Sequence, residues 1–165
     1  MTIIRPLAGL AIAAALVSLA PAAAQAATVT SDAVTASETA GHWGPYYATG
    51  KRAKASGSLT ASGEDHADIP TADTVHISGK LRDYTRRTST CGWAVFRITY
   101  KAGGNNLPFK HHSVRDCSYR TAKSFSFKHH DVYQVELKVC AEGKASKPSI
   151  NCLYAGTWKT LYLSK

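Results

Sequence analysis

From Lys51 onward, apolar and polar residues alternate with a period of two, and no stretch of about ten residues carries a convincing helical period. Alternation sends successive side chains to opposite faces of an extended chain, so the core must be built from half-buried strands. Seven such runs are legible: Lys51–Ser62, Val75–Leu81, Cys91–Lys101, Phe109–Arg115, Ser124–His129, Val132–Cys140 and Thr157–Leu163. Turn clusters such as Gly63-Glu64-Asp65 and Gly103-Gly104-Asn105-Asn106 separate most of them. The expected fold is all-β, a seven-strand antiparallel immunoglobulin-like sandwich. Asp131-Val132-Tyr133 stands where the sixth strand would begin, a position suited to a tyrosine corner.

The N-terminus reads differently. Met1–Pro6 carries one cation, Arg5; Leu7–Ala20 is uncharged and apolar; Pro21 breaks the run, and Ala24-Gln25-Ala26 is a small-x-small cleavage box. These are the parts of a secretory signal peptide. The apolar run is shorter than the roughly 20 residues a spanning helix needs. The expected organisation is therefore a signal peptide over 1–26, an extended arm with an aromatic segment over 27–49, and a β-sandwich domain over 50–165. Export implies a secreted, extracellular protein with no membrane span. In an oxidising compartment, Cys91, Cys117, Cys140 and Cys152 should form two disulfides. Of the three connectivities, the local one, Cys91–Cys117 with Cys140–Cys152, is favoured. Cys140 shares the parity of Glu136 and Lys138, so it should point outward and staple the Ala141–Asn151 loop shut.

No Gly-x-Ser-x-Gly, His-Glu-x-x-His or phosphate-binding loop is present in the sequence. Glu136 falls on a charged strand face and Glu142 in the stapled loop, neither an apolar setting that would raise a carboxyl pKa. Two adjacent pairs, His111-His112 and His129-His130, are the one arrangement with chemical potential. Neighbours on a strand face opposite ways, so one histidine from each pair could meet the other in a metal or acid–base site, with Lys110 and Lys128 adjacent. Surface histidines at strand ends are the simpler reading. The chain has 20 Lys and Arg against 11 Asp and Glu, a net charge of +9. Lys51-Arg52-Ala53-Lys54 and Arg86-Arg87 read as guards of sheet edges, and no catalytic residue, metal, cofactor or nucleic-acid partner is expected.

The arm is more informative. Ala27–Ala40 is rich in Ala, Thr, Ser and Val, suits an extended chain, and has too little bulk to fold alone. Gly41-His42-Trp43-Gly44-Pro45-Tyr46-Tyr47 follows, an aromatic knot whose glycines and proline argue against regular structure. A free extended arm can complete another protein's sheet, and large amphipathic rings often anchor interfaces. Val29, Val34, Trp43, Tyr46 and Tyr47 are the expected partner-binding residues.

In the order of these features (leader, Thr/Ala-rich arm, aromatic knot, the strand over Lys51–Ser62, four cysteines in the last half) the chain resembles small secreted β-sandwich proteins of filamentous actinobacteria. Among them it is similar to the adaptor subunit of umbrella toxin particles. That resemblance implies a non-enzymatic adaptor joining a secreted β-propeller lectin to a large repeat-containing toxin protein in an antibacterial particle. Ala27–Thr39 would be the inserting strand. Three rival expectations follow from the residues. A protease inhibitor would present Lys144 or Lys147 on the stapled loop, Lys147 being the poorer choice before Pro148. A nuclease would use His111, His112, His129 and His130. A cell-wall carbohydrate binder would stack sugars on exposed Trp43, Trp93 or Trp158.

Overall fold

The computed structural model describes residues 39–165. The expected signal peptide and most of the arm, with Val29 and Val34, lie outside the described residues. Seven strands and one short helix follow in the order β1 (Thr39–Tyr47), β2 (Ala53–Glu64), β3 (Ala72–Asp83), β4 (Thr90–Tyr100), β5 (Phe109–Asp116), β6 (Ala122–Gly143), α1 (Ile150–Tyr154) and β7 (Lys159–Leu163). Every strand ladder is antiparallel. The strands run β1-β2-β3-β6-β4-β5 across the sheet, and β7 pairs with β6.

The two layers of this all-β fold share one strand. The first part of β6 pairs with β3, from Arg82↔Ala122 to Ala72↔Val132. The second part pairs with β4, from Tyr100↔Val132 to Thr90↔Gly143. Asp131, in the left-handed region at φ 54°, marks the bend. Asp131-Val132-Tyr133 is thus the middle of one strand of 22 residues and not the mouth of a separate one. The register slips beside it, with Thr99↔Gln134 followed by Tyr100↔Val132, so Tyr133 is the extra residue of a bulge.

The aromatic knot departs from expectation in the opposite direction. Gly41–Tyr47 lies within β1, which pairs with β2 from Thr39↔Ala61 to Tyr47↔Lys54. The glycine and proline do not abolish the strand. They form an irregularity between Trp43 and Tyr46, where Gly44 takes φ 79° and the Gly44-Pro45 peptide is cis. The folded body therefore begins by Thr39 and includes residues expected in the arm.

One core lies between the layers. Ala55, Leu59, Val75, Ile77 and Leu81 supply one wall, and Ala94, Phe96, Ile98, Val135 and Leu137 the other. Both expected disulfides are present. Cys91–Cys117 ties the start of β4 to the end of β5, and Cys140–Cys152 ties β6 to α1. Beside the first, Asp83 and Asp116 are buried. The Asp83 carboxylate accepts from the Thr85 amide at 2.8 Å, and Asp116 accepts from the Ser118 amide at 2.9 Å. No helix among the described residues is long and apolar enough to cross a membrane.

Candidate functional site

Trp43 occupies one row of the first layer, Trp43–Gly57–Gly79–Phe125 in direct register. Both central residues must be glycine, because a Cβ at Gly57 would lie 2.6 Å from the Trp43 ring and one at Gly79 would lie 2.9 Å from it. The indole therefore covers the two glycines, meets Phe125 at 6.2 Å and strikes Phe96 edge-on at 6.0 Å. At 6% exposure Trp43 is a core residue and not the exposed anchor expected of it. Tyr46 is half-buried against the same core. Tyr47, 46% exposed, is the member of the three that faces solvent. What β1 offers outward is its backbone, since it is the first strand of the sheet order and pairs with β2 alone.

The histidine pairs split as alternation requires, and one residue of each meets the other across the layers. His112 stacks on Phe127 at 3.8 Å and lies 5.6 Å from His129 between ring centres. His129 Nδ1 is hydrogen-bonded to the Tyr100 hydroxyl at 2.9 Å, while its Nε2 is buried without a partner. Burial lowers the pKa of His112; burial, then the charges of His112, His130 and Lys110, lower that of His129. Burial also holds the Tyr100 hydroxyl above its usual value. These groups favour the neutral state, packed into the aromatic core. His111 and His130 face elsewhere: His111 stacks on Trp158 at 5.7 Å, and His130 contacts Thr74 at 3.1 Å. The four histidines thus form no single site. Among the described residues, no three His, Cys, Asp or Glu side chains gather in a metal-holding group.

The strand face holding Glu136 and Lys138 was expected to meet solvent, but both are buried. The segment around α1 folds back over it, packing Cys152, Leu153 and Trp158 on Trp93 and Val95. Arg97 bonds Glu136 through its Nε at 2.7 Å. Arg97 and Lys138 approach the Trp158 ring at 4.6 Å and 4.5 Å, and Lys138 donates to the Ala155 carbonyl. Burial, then the nearby Arg97 charge, lowers the Lys138 pKa. Trp93, at 2% exposure, is no surface platform for a sugar, and Trp158 is half-buried, laid over these cations. In the stapled loop Lys144 and Lys147 are exposed. Glu142 braces that loop by accepting from both the amide and the hydroxyl of Ser149 at 2.6 Å.

One surface was not singled out in the sequence. Lys54, read there as an edge guard, lies on β2, an interior strand between β1 and β3. It belongs to a face of Ser, Thr, His, Lys and Arg side chains whose signal, the polar half of the alternation, is plain in β2 and β3. Comparison of the chain with protein-family models, curated proteins and solved structures returns no match.

Proposed function

We propose that the protein is a secreted, non-enzymatic adaptor that grips a large partner by adding a strand from its N-terminal segment. In the particle its resemblance implies, that partner is a repeat-containing toxin protein, and the folded body engages a β-propeller lectin. The observation that supports this reading is the position of β1. It is the terminal strand of the sheet, hydrogen-bonded on one side to β2, and Ala27–Glu38 joins the body at its exposed first residue, Thr39. A segment leaving from an edge strand can pair with another chain without rearranging the body, and its Thr/Val content suits that conformation. The two disulfides suit an oxidising, extracellular setting.

The test is deletion of Ala27–Glu38 from the mature chain, which leaves β1 whole. The truncated protein should keep its melting temperature and lose co-purification with a large partner from culture supernatant. Full assembly by the truncated protein would refute the reading.

A further inference from the structure

The outer face of β2, β3 and the first part of β6 bears charge of one sign. Its rows, read across the register, are Lys54–Arg82, then Ser56–Lys80–Ser124, then Ser58–Ser78–Ser126. Thr60–His76–Lys128 and Ser62–Thr74–His130 complete it. These positions alternate with core residues such as Ala55, Leu59, Ile77 and Leu81, so they point away from the core. None is a carboxylate. The one salt bridge among the described residues, Arg97–Glu136, lies on the other layer. Lys54 and Arg82 stand directly opposite each other, a destabilising like-charge pair that a bound anion would relieve. Where the side chains are smallest, over the glycine row, the face dips into an open depression of about 620 Å³ lined by Ser56, Ser58, Ser78, Lys80 and Ser124 together with His42, Trp43 and Phe125.

We propose that this face binds an extended polyanion without bases, specifically a linear poly(glycerol phosphate). Rows on one face of a strand repeat every two residues, about 6.8 Å. A glycerol phosphate repeat has six backbone bonds, the same number as two extended residues, and so spans about 7 Å. A polymer lying along the strands sets successive phosphates on successive rows, over Arg82, then Lys80, then the hydroxyls of Ser58, Ser78 and Ser126, and then Lys128. The serine hydroxyls, two of them 3.0 Å apart at Ser58 and Ser78, hydrogen-bond phosphate and polyol oxygens between the cations. No Phe, Tyr or Trp side chain projects from these rows, and the imidazoles of His76 and His130 are held by Ser126 and Thr74, so the face lacks the broad stacking platform that single-stranded nucleic acid uses. The site adjoins β1, whose His42 and Trp43 help line the depression, but uses side chains rather than the free backbone edge and does not depend on the strand-adding function.

The test uses the mature chain with both disulfides and soluble poly(glycerol phosphate), followed by titration calorimetry and by amide shifts in NMR. Binding should weaken roughly twenty-fold as salt rises from about 50 to about 200 mM, for three to four neutralised phosphates. The triple variant Lys80→Gln/Arg82→Gln/Lys128→Gln should weaken it by about ten-fold or more. Lys144→Gln/Lys147→Gln/Lys159→Gln removes the same charge elsewhere and should leave it within about two-fold. Amide shifts of the unmutated protein should map to the face, which keeps the test independent of how the variants fold. Absence of binding, equal losses in the two triples, shifts on another surface, or equally tight binding of single-stranded DNA with the same number of phosphates would each overturn the proposal.

Discussion

Gly57 and Gly79 show how a missing side chain can be a structural requirement. The Trp43 indole fills the space above both, and a Cβ at Gly57 would also sit 2.0 Å from the Ser78 carbonyl. Gly57→Ala must push either a strand or the indole, and overpacking of this kind costs roughly 1–3 kcal/mol. A lowered urea midpoint with an unchanged slope is the expected result. The histidines of the core give a second prediction at this scale. His112 and His129 have native pKa values held below the ordinary 6.5, chiefly by burial. The unfolded chain therefore binds protons first as pH falls. Their neutral packing is fully favourable above pH ~6.5 and is progressively lost below it, until the native pKa values are passed. The urea midpoint should drop between pH 7.5 and 5.0, and His112→Phe, which keeps the ring against Phe127, should flatten part of that slope.

At the scale of elements, the alternating runs of β2, β3, β4 and β6 were readable because each buries one face and spends few residues on irregularity. Seven strands were expected and seven occur, but the partition differs. Ser124–His129 and Val132–Cys140 read as two strands because the polar stretch Lys128-His129-His130-Asp131 interrupts the apolar alternation. The chain absorbs that break with a left-handed residue and a bulge and keeps pairing. Gly41–Tyr47 read as irregular because Gly44 and Pro45 interrupt the pattern, while the ladder to β2 resumes at Tyr46. The charge pairs of β6 misled for another reason. Period-two alternation separates two faces, but a remote segment decides whether the polar face meets water. Here α1, held by Cys140–Cys152, brings Trp158 onto Arg97 and Lys138. The local disulfide pairing was legible from spacing alone; the surface it helps to cover was not. Of the residues expected to bind a partner, Val29 and Val34 lie outside the described residues, Tyr46 packs half-buried against the core, Tyr47 faces solvent and Trp43 is claimed by the core, while the basic face lay unremarked in the polar half of the same alternation.

At the scale of the whole molecule, the layers divide the work. The first presents a hydroxyl-rich basic face and the strand to which the N-terminal segment attaches. The second buries its outer charges beneath a disulfide-stapled cover. β6 belongs to both, hydrogen-bonded to β3 before its bend and to β4 and β7 after it. The fold consequently has no seam along which one half could melt while the other persists. Calorimetry of the protein with its disulfides intact should give a single heat-absorption peak whose measured enthalpy equals its van't Hoff value. Two resolved peaks would show that the halves are thermodynamically separable. Because β6 threads both layers, a pull applied at Thr39 would be borne by the entire body rather than peeled off one sheet, the mechanical behaviour that the proposed strand-adding role would call for.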